Sequence, residues 1–270
     1  MRVIHLGSRP LSRRCLRLLD AEPGIEVAAV VARPPDHDGW WEGSLATLAE
    51  SLGYPVIGED AITNYDVDFL ISTLYWNVLD ADLLEHPTYG GLNLHQAELP
   101  RFRGCNAFSH AIMKARADDH WRYGTTLHFM DPAVDEGDIV ARRFVDIEPH
   151  DTAATLYAKA EDASVALFEA ELPNIADGSV ISRRTPQSAF DGPVYYFGRD
   201  SLEDEKEIDS EALLDPSKAT AVYDRIRALE FPPFPPAYTV LDGRRVYLTT
   251  TPYGSGDIGE PVPAPAPESD

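Results

Sequence analysis

Short apolar runs alternate with helical patterns along the first third of the chain, and this alternation limits the possible folds most strongly. The runs Arg2–Gly7, Ile25–Val31 and Val67–Ser72 are nearly continuous in apolar residues, as expected of strands that are buried on both faces. Helical spacing of apolar residues separates them at Leu11–Asp20 and Ser44–Leu52. The pattern predicts an α/β fold with a doubly wound, mostly parallel sheet.

The first turn after a strand is where a dinucleotide would bind in many folds of this kind. Gly7 could begin a Gly-x-Gly-x-x-Gly fingerprint, but Arg9 and Ser12 occupy the next two glycine positions. Without those glycines the backbone cannot approach a pyrophosphate in the usual way. The sequence therefore argues against an NAD-binding protein.

Charge separates this chain from ordinary globular proteins. It has 45 acidic and 23 basic residues among 270, a formal net charge of -22, and a pI near 4.6. Such a surface repels nucleic acid, so no nucleic-acid partner is expected. An acidic, lysine-poor composition also suits concentrated salt, where self-repulsion is screened, which favours a halophilic source over a merely acidic mesophilic one.

Two further observations concern location. No window approaches the ~18 unbroken apolar residues of a membrane span, and the first residues lack a signal-peptide pattern. Cys15 and Cys105 are too few for a disulfide framework or a cysteine-rich metal site. These features predict a reduced, cytoplasmic protein with no membrane association.

The stretch from residue 89 to 140 concentrates the residues that can carry chemistry. In the predicted strand Gly91–His95, Asn93 and His95 alternate to the same face. A second predicted strand, Thr125–Met130, leads into a turn that contains Asp135. Because open α/β sheets place their chemistry where strands end, we expect the amide, the imidazole and the carboxylate to converge.

Several motifs in this stretch follow one another in a distinctive order. They are Asn93-x-His95, Leu99-Pro100-x-x-x-Gly104, and Gly-x-Thr-x-His-x-x-Asp-x-x-x-Asp-x-Gly-Asp-Ile from Gly124. In this order they resemble the folate-dependent formyltransferases, which include methionyl-tRNA formyltransferase, glycinamide ribonucleotide transformylase and the sugar N-formyltransferases. The resemblance covers roughly residues 65–150 and implies the Rossmann-like formyltransferase fold. One departure is Ala97-Glu98, where many relatives have Ser-Leu.

The residue types suit formyl transfer to an amine, which needs a donor to the developing oxyanion and a base for the amine proton. The amide of Asn93 can donate, and a histidine such as His95 is a suitable base for this proton. The carboxylate of Asp135 can orient the imidazole, stabilise its protonated form or hold a relay water. The family assigns these roles to the matching positions, so the resemblance implies that Asn93, His95 and Asp135 are catalytic.

The other histidines and a metal site are the alternatives to this interpretation. His128 on the second strand and His110 in the following helix pattern are predicted to be structural. A metal alternative would use His95, Glu98 and Asp135, but the chain has no tight ligand motif such as His-Glu-x-x-His. The sequence therefore predicts no bound metal.

The resemblance also implies N10-formyltetrahydrofolate as the formyl donor. Its pterin would lie between the loop after the fourth strand and the aspartate turn, on Tyr75, Trp76, Asn77, Val78, Leu79, Asp131 and Val134. Tyr75 and Trp76 could equally be core aromatics. Arg101 and Arg103 are candidates for an acceptor phosphate or the folate glutamate, or else form a solvated surface pair.

The chain is predicted to divide into a catalytic domain at 1–185, a small C-terminal module at 186–252 and a disordered tail at 253–270. The module combines a helix ending at Leu229, a proline-rich bend and a hairpin turning at Asp242-Gly243, which is similar to the corresponding region of sugar N-formyltransferases. Its apolar residues near 194–197 and 231–238 exceed what a small module can bury. We therefore expect a homodimer formed through this region.

The leading hypothesis is an enzyme that formylates the amine of a small acceptor, a nucleotide-linked amino sugar. A methionyl-tRNA formyltransferase is the first alternative, although it should carry a larger, basic C-terminal domain. A formyltetrahydrofolate hydrolase would share the same three residues. A non-catalytic folate-binding subunit, a hypothesis of another class, would not require all three.

Overall fold

The computed structural model describes residues 1–34 and 39–250. The tail predicted at 253–270 lies outside these residues, as do positions 251 and 252 of the predicted C-terminal module. No helix among the described residues is long and apolar enough to cross a membrane.

A seven-stranded sheet forms the centre of the protein, and it confirms the predicted α/β class. Its strand order is β3-β2-β1-β4-β5-β7-β8; the first five of these run parallel, while β7 and β8 are antiparallel to their neighbours. Two two-stranded sheets, β6-β9 and β10-β11, accompany it. The strands are β1 (Arg2–Gly7), β2 (Glu26–Ala32), β3 (Val56–Ile57), β4 (Phe69–Thr73), β5 (Gly91–His95), β6 (Phe102–Gly104), β7 (Arg122–Phe129), β8 (Ile139–Asp146), β9 (Tyr195–Phe197), β10 (Tyr238–Leu241) and β11 (Arg244–Tyr247).

Buried apolar side chains cover both faces of the sheet, as the near-continuous apolar strands require. On one face, Leu92 and Leu94 pack in a cluster with Phe168. A second cluster on the opposite face contains Ile4 and Leu70. Each fully buried side chain of this size contributes about 1.5–3 kcal/mol. The helices are α1 (Pro10–Ala21), α2 (Leu45–Ser51), α3 (Ala81–Glu85), α4 (Ala107–Ala115), α5 (Ala153–Ala176), α6 (Ser210–Leu214) and α7 (Ala219–Ala228).

Two residues near the ends of the long helix α5 do not have the roles that the sequence predicts for them, a cap at Asp151 and a helix end at Pro173. Thr152 caps it, accepting from the Thr155 backbone N–H, whereas Asp151 is buried and pairs with Lys159 at 2.7 Å. Pro173 lies inside the helix instead of marking its end, which comes at Ala176. The sequence does not predict strand β8, because its mixture of apolar residues and arginines shows no clear strand pattern.

The C-terminal segment is attached to the catalytic half by backbone pairing. The strand β9 runs parallel to β6, and the Cys105 N–H donates to the Phe197 carbonyl at 2.8 Å. Arg227 of α7 is fully buried and donates to the Asp151 carbonyl at 2.8 Å and to Asp224 at 2.9 Å. The proposed boundary near residue 185 stays a prediction, but these contacts bring β9 beside the loop that follows β5.

Candidate active site

Strand register brings the central polar side chains together. Asn93 lies opposite His128 in the antiparallel pair of β5 and β7, and His95 lies opposite Thr126. Side chains two residues apart in a strand share a face, so Asn93, His95 and His128 all project to the same side of the sheet. Leu92 and Leu94 project into the core on the other side.

The hydrogen bonds of His95 indicate which of its nitrogens can accept a proton. Its Nε2 lies 3.0 Å from the Phe102 carbonyl oxygen, which can only accept, so Nε2 carries a hydrogen. In the neutral ring this leaves the lone pair on Nδ1. That atom faces Asp135 Oδ1 at 3.7 Å. A proton taken up at Nδ1 would therefore be stabilised by the carboxylate.

His128 belongs to the same group, although sequence analysis assigns it a structural role. Its Nδ1 donates to the Phe129 carbonyl at 2.7 Å, so Nε2 accepts a hydrogen bond from Asn93 Nδ2 at 3.1 Å. Burial lowers the pKa of His128 below its ordinary value, and the neighbouring Asp135 carboxylate opposes that effect. A neutral His128 thus holds the Asn93 amide in a fixed orientation, leaving the second N–H of that amide available to a substrate.

Asp135 comes from a turn whose backbone is unusual. Its φ of +57° lies in the left-handed region, which aspartate tolerates better than most residues. Its Oδ2 accepts the Gly104 N–H at 2.8 Å, and its Oδ1 faces both His95 and His128 at 3.7 Å. A Cβ at Gly137 would lie 1.9 Å from the Phe129 carbonyl oxygen, so this position requires glycine.

The side chains of Arg103 and Gln187 stabilise the turn that contains Asp135 through hydrogen bonds and an ion pair. Gln187 Nε2 donates to the carbonyls of Asp135 and Gly137 at 2.7 and 2.9 Å, while its Oε1 accepts from Arg103 Nη2 at 2.8 Å. Arg103 Nη1 also pairs with Glu136 at 2.6 Å. No local pattern in the sequence indicates Gln187, because it acts on residues about fifty positions earlier.

The two arginines predicted to bind phosphate already have partners. Arg101 pairs with Asp118 at 2.6 Å, and Tyr195 donates to the same carboxylate at 3.0 Å. The side chains of Arg101 and Arg103 are only 12% and 15% exposed. They are therefore not the solvated surface pair considered as an alternative, and Arg103 positions the aspartate turn.

The residues predicted to hold the pterin are spread along two segments. Tyr75 and Asn77 both donate to Glu59, at 2.5 and 3.1 Å, and the Tyr75 and Trp76 rings lie 4.3 Å apart. Val78 is 65% exposed, but Leu79 is buried in the core. In the aspartate turn, Asp131 accepts the Ala133 N–H at 2.9 Å, and Val134 directly precedes Asp135.

Two other residues named in the sequence analysis, Glu98 and His110, contact partners of their own. Glu98, part of the metal alternative, lies 2.6 Å from His120 and 3.2 Å from Arg122. Within residues 1–34 and 39–250, no three histidine, cysteine or acidic side chains are grouped to hold a metal ion. His110 stacks on Phe197, with 3.5 Å between ring centroids, and its Nε2 lies 2.9 Å from Ser201 Oγ.

Residues 50–172 match the protein family described as formyl transferase. The methionyl-tRNA formyltransferase of Bacillus licheniformis is 30% identical over 257 residues, which span 90% of this chain and 76% of the relative. The residues matched by the family include Asn93, His95, His128 and Asp135.

Solved structures share the fold over nearly the whole chain. The N-formyltransferase from Helicobacter canadensis, in complex with folinic acid and dTDP-3-aminofucose, has a TM-score of 0.71 and 17% identity, covering 90% of this chain and 85% of the other. A 4-N formyltransferase from Francisella tularensis gives a TM-score of 0.71 and 19% identity, covering 92% and 96%.

Proposed function

The chain belongs to the folate-dependent formyltransferase family, and from that premise we propose that it formylates the amine of a nucleotide-linked amino sugar, with N10-formyltetrahydrofolate as donor. The observation that supports catalysis is the arrangement of Asn93, His95 and Asp135, with the Nδ1 atom of His95 facing the carboxylate. Binding alone would not require this arrangement.

The donor, when bound, supplies an activated formyl carbon to the attacking amine. In the proposed mechanism the free N–H of Asn93 donates to the oxygen on which negative charge develops, a contact worth ~3–4 kcal/mol in comparable sites. Nδ1 of His95 takes the proton that the amine loses, directly or through one water. The C–N bond between N10 of the donor and the formyl carbon breaks, and N10 gains a proton as tetrahydrofolate leaves, so no net proton is released. Asp135 stabilises the resulting imidazolium, while the Phe102 carbonyl keeps the ring in place.

The residues around the loop after β4 fit a flat donor ring. Trp76 is half-buried and the neighbouring Val78 is 65% exposed, so a bound ring system would cover apolar surface that water now contacts. Tyr75 and Asn77 are held by Glu59, which keeps the loop in one conformation. We propose that this loop and the turn containing Asp131 and Val134 bind the donor.

Two observations support a small acceptor. The chain is strongly acidic, which disfavours a polyanionic RNA. The solved structures that match 90% or more of its length include an N-formyltransferase in complex with dTDP-3-aminofucose. A methionyl-tRNA acceptor is the second candidate, favoured by the 30% identity to the Bacillus licheniformis enzyme.

A mass-spectrometric screen separates the two candidates. The protein is incubated with N10-formyltetrahydrofolate and either a panel of nucleotide-linked amino sugars or methionyl-tRNA. We expect a formyl group to be gained by at least one sugar and not by the tRNA. Formylation of the tRNA alone would overturn the proposed acceptor, and formate release without any acceptor product would indicate a hydrolase.

The protein is also expected to form a homodimer through the region after residue 185. Several large apolar side chains of that region are exposed in the single chain: Val194, Tyr196, Phe234, Leu241 and Tyr247. A second copy that covers them would remove this surface from water. Light scattering at micromolar concentration should give twice the chain mass in both low and high salt; a monomer in both would contradict the proposal.

Stability and activity should both rise with salt if the source is halophilic. At ~0.15 M ions the screening length is ~8 Å, against ~3 Å at 1 M, so the repulsion within a chain of net charge -22 weakens. We expect the Tm and the rate of formyl transfer to increase between ~0.1 and ~1 M KCl. A flat Tm together with a steadily rising KM for the acceptor would refute the halophilic interpretation.

A further inference from the structure

A group of arginines lies at the carboxyl edge of the sheet, beside the site just described. Arg9 ends the loop after β1, and the first turn of α1 contains no acidic residue and no side-chain cap. Arg33 follows β2 directly. Arg199 reaches the same edge from the segment after β9 and donates to the Trp76 carbonyl at 2.5 Å.

Aromatic rings connect these guanidinium groups into one surface. The guanidinium carbon of Arg9 lies 5.7 Å from the Trp40 ring centroid and 5.8 Å from that of Trp41. The corresponding carbon of Arg33 lies 4.6 Å from the Trp76 ring centroid. Arg199 bonds the carbonyl of the same Trp76. Burial, and then the charges of Arg199 and Arg9, lower the pKa of Arg33, so the three cations lie near one another and form one basic wall.

A cavity of about 140 Å³ opens beside Arg33, which lines it together with Ser8, Trp41 and Ser44 among others. Gly43 also lines it, and Arg13 lies close behind, since a Cβ at Gly43 would meet Arg13 Nη1 at 2.2 Å. The cavity is therefore bordered by cations, hydroxyls and an indole ring. This is the set of groups that recognises a phosphate ester.

Two of these arginines differ from other arginines of this acidic chain in their contacts with acidic side chains. Arg14, Arg103 and Arg116 each pair with acidic side chains. Among the residues that the structure describes, neither Arg9 nor Arg199 forms an ion pair with a carboxylate. Guanidinium groups gathered in this way repel one another, so an anion bound between them would be stabilised.

The arginines also lie within electrostatic range of the proposed catalytic centre. Burial raises the pKa of the Cys105 thiol; Arg199 and Arg9 oppose that rise, and Asp135 adds to it. Cys105 follows Gly104, whose N–H donates to Asp135. An anion held by the arginines would thus lie near the carboxylate that faces His95.

We propose that Arg9, Arg33 and Arg199 form a binding site for the diphosphate group of the acceptor. Three cations along one wall match two linked phosphates better than a single phosphate, because each phosphate can accept paired hydrogen bonds from a guanidinium group. The positive end of the α1 dipole adds to the attraction. The assignment of this diphosphate to the acceptor rests on the proposed function, whereas the anion site itself does not.

Calorimetric titration of the full chain with inorganic pyrophosphate, at constant ionic strength, tests the site without any formyl transfer. We expect saturable binding, weaker binding of orthophosphate, and a Kd for pyrophosphate raised about tenfold or more in Arg9→Gln and Arg199→Gln. Arg17→Gln is the matched control, because Arg17 is exposed on α1 and is not one of the three arginines of the proposed site. Its Kd should equal that of the wild type.

No saturable binding up to about 10 mM pyrophosphate, or equal weakening in the Arg17→Gln control, would overturn the site. If Arg9→Gln lowers the Tm, the Kd of Arg199→Gln is the deciding measurement, because Arg199 is exposed and its replacement removes little packing. Pyrophosphate binding without formylation of any nucleotide-linked sugar would leave the anion site standing and refute its proposed acceptor. Formylation with an unchanged KM in Arg199→Gln would refute the role of the site in acceptor binding.

Discussion

Replacement of His95 by alanine is expected to lower kcat by roughly 10²- to 10⁴-fold, the range found when a positioned general base is removed. The ring at this position has one nitrogen fixed by the Phe102 carbonyl at 3.0 Å and the other 3.7 Å from Asp135. Alanine removes the proton acceptor but leaves the sheet intact. Steady-state kinetics of formyl transfer, with donor binding followed separately by fluorescence, measures both consequences.

His150→Ala provides the matched control, because His150 is exposed and lies in the loop before α5. Its kcat should equal that of the wild type. A His95→Ala variant with near-wild-type kcat would remove His95 from the mechanism. A variant that lost donor binding together with kcat would instead give His95 a role in binding.

Asp135→Asn is expected to lower kcat by roughly 10²-fold or more, although it changes only one atom. The Oδ1 of asparagine can still accept the Gly104 N–H, as Asp135 Oδ2 does at 2.8 Å. Its NH₂ group would then face His95 Nδ1 and donate to the lone pair that must receive the proton. The negative charge that stabilises the imidazolium is lost at the same time.

Circular dichroism and Tm should be nearly unchanged in Asp135→Asn, because the turn keeps its hydrogen bond to Gly104. Asp146→Asn, at the exposed end of β8, serves as the control for the loss of one negative charge. Loss of the folded state in Asp135→Asn would show that Asp135 is a structural turn residue. Full activity would exclude it from the mechanism.

Local patterns in the sequence determined much of this protein. Apolar runs and helical spacing predict the parallel part of the sheet and the helix α1, since burial on both faces of a strand restricts its composition. The two-residue period of a strand places Asn93 and His95 on one face without any knowledge of the fold. Motif order indicates the family, and composition alone reveals the acidity.

Only the tertiary structure shows which other residues lie beside Asn93 and His95. His128 reaches Asn93 only because β7 pairs with β5 in antiparallel register. Gln187 reaches the aspartate turn because the nearby Thr185 is bridged to Ile139, and Arg199 reaches the edge of the sheet because β9 is paired with β6. The contacts of Arg103 with Gln187 and Glu136 also arise only in the folded chain, and its role as a phosphate ligand stays a prediction. Contacts between residues tens of positions apart depend on strand pairing and loop packing, and local periodicity in the sequence indicates neither.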